Sequence, residues 1–574
     1  MRSLSELRQS ALEILAYAVT ELFPRTLLVG GTVTEFGFYY DFIAKQPIDE
    51  QALTWLEEKV RGLIKENGEI RILEMMRENA AAFLEHHRQP LRAKSLRRDP
   101  QNIVQIFELG KFHDYYPYDS CATPAELVSF KLLKIEETEC HLPEEGNVKV
   151  VRIHGTVFQN PMDLKRFLKA AQQGKKRDYR LLGKEMDLFG AHEEVNSHAW
   201  FWHPKGQRLI EILYDWWSRE HRKQNFQLLK TPPLVKSSLI KKAEGSERFH
   251  EREALPNDEV EGIEYIIPST VSPSHALMYH SKRHSYRELP IRYAECAYTK
   301  LSQEQAHFSG MRMNLAFADF AHIFCTWEHI EKELISSLQF IDKITKMLGF
   351  GCHWKLKGHG RKFAGTLRLW EKSHEYFVNA FNQCSLNFML DASEPSFTGP
   401  KAEACLTDSL GREWKGPSVG LDFNCPERLG LRYQGADDDM HLPLMIVRVL
   451  FGSFERFVAI LIEHYEGKFP LALAPEQVRV IPVKEANLAY AQSLRKVLEA
   501  RGYRIGIDEG NTLLGGKIHV AEREKVPYIL IVGEREEKQQ LITVRSGFTA
   551  SVQEGLTLEA FLKQLHEEMS FDIR

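Results

Sequence analysis

The chain has 574 residues, 43% of them hydrophobic and 27% charged, with a formal net charge of −4 and a pI near 6.7. At about 100–200 residues per domain this length holds several domains, and the balance is that of an ordinary globular protein. It excludes a globally basic nucleic-acid binder, so any RNA contact must come from local patches.

Apolar residues Leu4, Leu7, Leu12, Leu15, Val19 and Leu22 recur at helical spacing and predict an amphipathic opening helix. Its apolar run is short and interrupted by Glu13, so it predicts neither a signal peptide nor a membrane span. GGTVTEFGFYYDF (30–42), rich in β-branched and aromatic residues, predicts a strand or hairpin. Residues 49–66 and 71–87 read as helices, while 128–137 and 148–158 alternate as strands do. Together they predict an α+β domain over residues 1–160. Residues 161–198 follow as a charged helical connector with GKKRD (174–178) at its centre.

FWHPKG (201–206) opens a large domain over 199–470, with long helices predicted at 207–225, 327–349 and 440–465 and strands at EYIIPS (264–269) and VGLDFN (419–424). FPLALAPEQ (469–477) is a proline-punctuated linker. Beyond it QVRVIPV, a helix at 485–502, YRIGID, a helix near 517–525, VPYILIVG and LITVRS alternate as in a small α/β domain over 471–574. The eight cysteines, from Cys121 to Cys425, include no CxxC pair, which argues against a disulfide framework and fits a reducing cytoplasm.

Several segments, in order along the chain, resemble threonyl-tRNA synthetases of the class II aminoacyl-tRNA synthetase family. GFYYDF (37–42) and FKLLK (130–134) resemble the editing domain. FWHPKG (201–206) and KTPP (230–233) resemble the catalytic entry and motif 1, and SYRELPIRYAE (285–295) and AHIFC (321–325) the surroundings of motif 2. TGPKAE (398–403), DSLGREW (408–414) and LDFNCPER (421–428) resemble the late catalytic strands, GSFERF (452–457) motif 3, and LAPEQVRVIPV (473–483) the entry to the anticodon-binding domain. The small ubiquitin-like domain that precedes these segments in many relatives is not expected here. The resemblance implies a multidomain α+β protein with an antiparallel class II sheet. It also implies protein biosynthesis as the setting, ATP and threonine as substrates, tRNA as partner and a homodimer paired near Pro232. A synthetase partner is a further candidate; DNA and membranes are not expected, and the location implied is cytoplasmic.

The site positions depart from that family. Its zinc is held by one Cys and two His, and the corresponding residues here are Ser272 in VSPSH, His322 in AHIF and Val447. One ligand of three does not make a tetrahedral site, so zinc is expected to be absent and His322 to be an ordinary histidine. His275, three residues after Ser272, could replace a ligand only with the other half of the site present. In motif 2 the Arg on the ATP α-phosphate and a Glu align with Leu301 and Gln303, in a segment one residue shorter than usual. A second Arg aligns with Asn314 and a nearby Gln with Ala318. Thr398, Lys415 and Gly420 replace a Tyr and two Gln. The resemblance leaves Arg456 and Arg312 as catalytic candidates, and Arg456, Lys300 and Lys415 as ATP-binding candidates. A single lost charge contact commonly costs about 3 kcal/mol, or about 100-fold in rate, so several losses predict impaired or altered adenylate synthesis.

The editing domain's HxxxH aligns with Glu13 and Tyr17, and its later Cys and His with Tyr116 and Ser120. These residues could do acid–base work, but a domain kept for packing or tRNA shape is the favoured expectation. Toward the C-terminus, Asn511 and Arg545 are the candidate tRNA contacts; Asn511 beside Gly510 also suits a turn. Three functions follow: a family member that binds tRNA or a synthetase partner, or acts on another small acid, without standard threonylation; a working threonine–tRNA ligase with a divergent, zinc-free site; or a structural protein using the class II dimer surface. The residues favour the first.

Overall fold

The apolar stripe at the start of the chain becomes the helix Leu4–Leu22, with Leu7, Ile14, Leu15 and Val19 buried. The computed structural model describes residues 4–34, 37–99, 101–117, 123–142, 146–192, 200–245, 258–260, 263–301, 307–308, 311–312, 315–409 and 412–569. It divides into two units, Met1–Gln172 and Gln173–Arg574, with the boundary inside the helix Pro161–Lys176.

In the first unit the predicted hairpin is Leu27–Thr34 paired with Gly37–Ile43. It joins Gly146–Phe158 and Ser129–Leu142 in a four-stranded antiparallel sheet. Residues 71–87 are not one helix. Ile70–Met76 is a strand paired with Ile103–Leu109, and only Arg77–His86 is helical. The run ILEMM supplies apolar side chains at both periods, and the pairing partner some thirty residues away decides for the strand.

The second unit is built on an eight-stranded sheet in the order Gln227–Leu228, Ile291–Lys300, Leu315–Cys325, Leu444–Val449, Glu413–Asp422, Lys401–Thr407, Gly351–His359, Phe388–Ser396. Its inner pairs are antiparallel, as expected, while the strand at each edge joins in parallel. Helices Pro204–Lys223, Trp327–Met347, Leu367–Gln383 and Phe454–Tyr465 contribute to the largest core, which also takes Ala321 and Ile323 from one face of the sheet. The expected helix at 440–465 is a second correction: Leu444–Val449 is a central strand and helix starts only at Phe454. LMIVRVL is β-branched enough to serve as a strand buried on both faces, where neither period shows. A mostly parallel pair-up of Ile505–Ile507, Val478–Pro482 and Tyr528–Val532, extended antiparallel by Ile542–Ser546 and Val552–Leu556, forms the five-stranded C-terminal sheet.

One carboxylate joins three of these elements. Asp319, fully buried on Leu315–Cys325, accepts from the backbone N–H groups of Leu450 (2.8 Å), Phe451 (2.8 Å) and Gly452 (2.7 Å) and from the indole of Trp217 (3.1 Å). It thereby fixes the turn before the helix Phe454–Tyr465 and anchors the helix Pro204–Lys223. In Asp319→Asn the amide nitrogen would face donors, so we expect a loss of about 3 kcal/mol. A urea midpoint unchanged from wild type would contradict this clamp.

Candidate active site

The strand register lays one row of side chains across the sheet. Tyr293 stands opposite His322, His322 opposite Val447, Val447 opposite Gly420, Gly420 opposite Lys401, and Lys401 opposite Lys357. Directly paired residues point to the same face, and the middle of this row, Val447, Gly420 and Lys401, forms the floor of a cavity of about 320 Å³. Its walls include Thr270 and Ser272, from the start of the helix Ser272–His280, together with Thr398 and Asp422. The resemblance singled out Ser272, His322, Val447, Thr398 and Gly420, and the fold brings all five to this place.

A chain of hydrogen bonds runs behind the cavity wall. Ser272 Oγ lies 2.8 Å from His322 Nε2, His322 Nδ1 2.8 Å from His275 Nδ1, and His275 Nε2 3.2 Å from Glu295 Oε2. Glu295 also accepts from the Thr231 backbone N–H (2.6 Å) and hydroxyl (2.8 Å), and Thr270 Oγ1 lies 2.8 Å from Ser272 Oγ. Ser272, His275, Glu295 and His322 are all buried. Burial, followed by the neighbouring His275, pushes His322 well below the ordinary histidine range. For a neutral pair of rings the Glu295 carboxylate, which can only accept, sets one order of protons: His275 Nε2–H donates to the carboxylate, His322 Nδ1–H to His275, and Ser272 Oγ–H to His322 Nε2. The serine's lone pairs then remain to accept from Thr270 and from whatever enters the cavity.

The family's zinc does not fit these residues. Both nitrogens of His322 are engaged, Ser272 is its hydrogen-bond partner, and Val447 directly across the sheet has no donor atom. Recruiting His275 would break its bond to His322 and leave the Val447 side open. Beyond Val447, a Cβ on Gly420 would stand 3.2 Å from Cβ and Cγ of Lys401 and from Pro400 O, so the missing side chain makes room for the lysine. Lys401 and Lys357 both face Glu403, at 3.6 and 3.3 Å. Burial holds the Lys401 ammonium below its usual range, Glu403 opposing it and Lys357 and Lys415 adding to it.

The nucleotide candidates are less closely gathered. Arg456 lies in the first turn of the helix Phe454–Tyr465, which Ser453 caps by accepting from the Arg456 N–H at 3.2 Å, and burial lowers its guanidinium. Lys300 ends the strand Ile291–Lys300 and donates its backbone N–H to Pro268 O, while Leu301 packs against the main core. Lys415 is exposed on Glu413–Asp422, opposite Cys405. Arg312 falls on the strand Met311–Arg312 with its side chain outside the described residues, and Gln303 and Asn314 lie outside them altogether. Among the described residues, Arg456, Lys300, Leu301 and Lys415 do not line the cavity above.

In the first unit, Glu13 and Tyr116 are core residues, and Tyr17 stacks on Phe112 with ring centroids 5.3 Å apart. Burial, and next Asp114, push Glu13 well above the carboxylate range. Asp114 in turn receives the Tyr40 hydroxyl and Arg92 Nε. Ser120 lies outside the described residues. In the C-terminal sheet Arg545 donates twice to Glu522 (2.9 and 2.7 Å), and Asn511 sits exposed in a bend.

Sequence reasoning missed Glu295, Thr231 and Thr270 of the hydrogen-bonded chain and the clamp Asp319. An acid inside the apolar strands IRYAECAY and LAFADFAHIF was the available signal, since a buried carboxylate needs several donors.

The family model described as "Anticodon binding domain" matches residues 477–568, and that described as "tRNA synthetase class II core domain (G, H, P, S and T)" matches residues 256–465. Fold and matches together define a class II tRNA synthetase core followed by an anticodon-binding domain. The threonine–tRNA ligase of Acetivibrio thermocellus is 34% identical over 541 residues, covering 94% of this chain and 85% of the relative. That of Clostridium acetobutylicum is 32% identical over 565 residues, covering 98% and 88%. The chain therefore belongs to the threonyl-tRNA synthetase family. The solved RNA binding domain of the threonyl-tRNA synthetase from Cryptosporidium parvum is 30% identical, covers 68% of this chain and 98% of its own, and superposes with a TM-score of 0.62. A solved chain from Aeropyrum pernix, 20% identical with a TM-score of 0.59 over 70% of this chain and 97% of its own, shares the fold. Because these curated relatives are named as ligases, the expectation of a degraded site draws no support from them.

Burial raises the Glu295 carboxyl, but the hydrogen bonds from His275 and Thr231 outweigh it and leave it below its ordinary value. A depressed carboxylate stabilises the fold above the unfolded pKa of about 4.3 and loses that contribution as pH falls through the folded value. Glu295→Gln should therefore be less stable than wild type at pH 7 and approach it below pH ~4, followed by denaturant unfolding. Parallel losses at both pH values would refute this.

Proposed function

We propose that this protein is an ATP-dependent threonine–tRNA ligase whose amino-acid cavity works without zinc. The observation that carries this reading is the intact cross-strand floor, in which hydrogen bonds take the place of the metal. The Glu295–His275–His322 chain orients Ser272, so an ammonium or hydroxyl donor on a small amino acid meets an oxygen acceptor where the family places its ion. Relatives named as ligases across more than nine-tenths of the chain support the same assignment. ATP is a substrate here. Its phosphates need positioned cations, and Arg456, Arg312, Lys300 and Lys415 are the groups available for that task. The anticodon-binding domain implies tRNA as partner, with Asn511 and Arg545 as candidate contacts, and cytoplasmic protein synthesis as the setting.

A second reading, a tRNA-binding protein without standard threonylation, has one observation in its favour: Leu301 packs into the core where the family places an arginine. Threonine-dependent ATP–pyrophosphate exchange separates the two. We expect exchange that survives dialysis against a chelator, falls at least about 100-fold in Arg456→Ala, and accompanies less than 0.1 zinc per chain on the order of trace metal. No exchange, with tRNA still bound, would replace the ligase by the second reading; one zinc per chain, lost in His322→Ala, would overturn the zinc-free cavity.

The family's pairing through the motif 1 region near Pro232 leads us to expect a homodimer. Light scattering that gives a monomer at micromolar concentration would refute it.

A further inference from the structure

In the second unit the helix Pro204–Lys223 carries Arg208, Asp215 and Arg219 at spacings of seven and four, which place them on one face. That face lines a cleft of about 470 Å³ together with Arg501 and Arg504, just after the helix Leu488–Ala500, and His566 of the helix Leu558–Glu568. Among the described residues, four guanidinium groups and an imidazole thus meet one lining carboxylate, Asp215, in a chain whose net charge is −4.

The four arginines are not equivalent. Arg504 is structural: it donates to the carbonyls of Ala474 (2.8 Å), Leu471 (3.1 Å) and Ala472 (2.9 Å). Burial, and after it the Arg208 charge, push it down to about 10. Arg208 pairs with Glu211 at 3.0 Å. Arg501 is exposed, and Arg219 holds Nε and Nη2 out of solvent with no hydrogen-bond partner among the described residues. Unsatisfied buried donors on an ion are rare in folded proteins and call for an acceptor.

We infer that this cleft is a phosphate-binding site, with Arg219 and Arg501 as its ligand-contacting residues, and that it takes a backbone phosphodiester of bound tRNA. The arginine fork matches a phosphate's paired oxygens. A cleft this large leaves space for the adjoining sugar, and its walls come from the helix Pro204–Lys223, which packs into the main core, and from the anticodon-binding domain. The assignment to tRNA rests on the reading proposed above.

The test is binding of a fluorescently labelled tRNA transcript, followed by anisotropy at several salt concentrations, to the full chain and to Arg219→Gln, Arg501→Gln and the double variant. Each single variant should bind about threefold to tenfold more weakly, and the double variant should lose about two from the slope of log affinity against log salt. The exposed Arg501 gives a readout even if Arg219→Gln disturbs folding, which thermal melting reports. Wild type that binds no tRNA overturns the tRNA reading and this site with it. Wild type that binds, with the double variant equal in affinity and slope, overturns the cleft alone. A melting shift produced by inorganic phosphate and abolished by Arg219→Gln, beside unchanged tRNA affinity, makes this a free-phosphate site and also overturns the assignment.

Discussion

The buried carboxylate of Asp319 is the constraint on which the catalytic half depends. It receives four donors, three of them consecutive backbone N–H groups at Leu450, Phe451 and Gly452. These are the residues that turn the chain from the strand Leu444–Val449 into the helix Phe454–Tyr465. Holding that turn fixes the register that sets Val447 across from His322, and it fixes where Arg456 begins its helix. Asp319 points to the helix-packed face of the sheet, as its bond to Trp217 requires, while His322 three residues on points to the cavity. One strand thus carries the scaffold's anchor on one side and the site on the other.

On the cavity side, a hydrogen-bonded chain runs from Ser272 through His322 and His275 to Glu295, and in the reading proposed above it stands where the family has its metal. A zinc ion draws ligands together by charge and tolerates no apolar residue in its shell. A hydrogen-bonded chain needs only alternating donors and acceptors, and it can end on a serine. Val447 is compatible with the second arrangement and not with the first. The same change reaches across the row, where Gly420 yields space and Lys401 and Lys357 take it up around Glu403. In the reading proposed above, selectivity would rest on the direction of hydrogen bonds and on shape. A site of this kind rejects a partner that leaves its polar groups unpaired.

The first unit shows a comparable exchange. Its helix positions that hold two histidines in the family hold Glu13 and Tyr17, and Glu13 is drawn into a buried cluster with Asp114, Arg92 and Tyr40. Asp114 satisfies Arg92 and Tyr40 together, and Arg92 continues to the Tyr115 carbonyl at 2.8 Å. The cluster ties the opening helix and the four-stranded sheet to Phe112–Tyr115, the strand that pairs with Ile103–Leu109 and carries Asp114. That is a packing role, consistent with the burial of Tyr116 in the same core.

The sequence by itself determined the elements whose periodicity is unambiguous: the opening helix, the hairpin at Leu27–Ile43, the helices Pro204–Lys223 and Trp327–Met347, and the C-terminal alternation. It also determined the family, because many short motifs keep one order along the chain. Tertiary structure decided the segments around Ile70–Met76 and Leu444–Val449, where apolar residues satisfy either period and only a pairing strand selects one. It decided the chain from Ser272 to Glu295 as well. His322 is 50 positions from Ser272 and 47 from His275, and Glu295 is 20 from His275. No local pattern links residues so separated; strand register brings them within hydrogen-bond range, and burial then leaves each polar group no partner but the next.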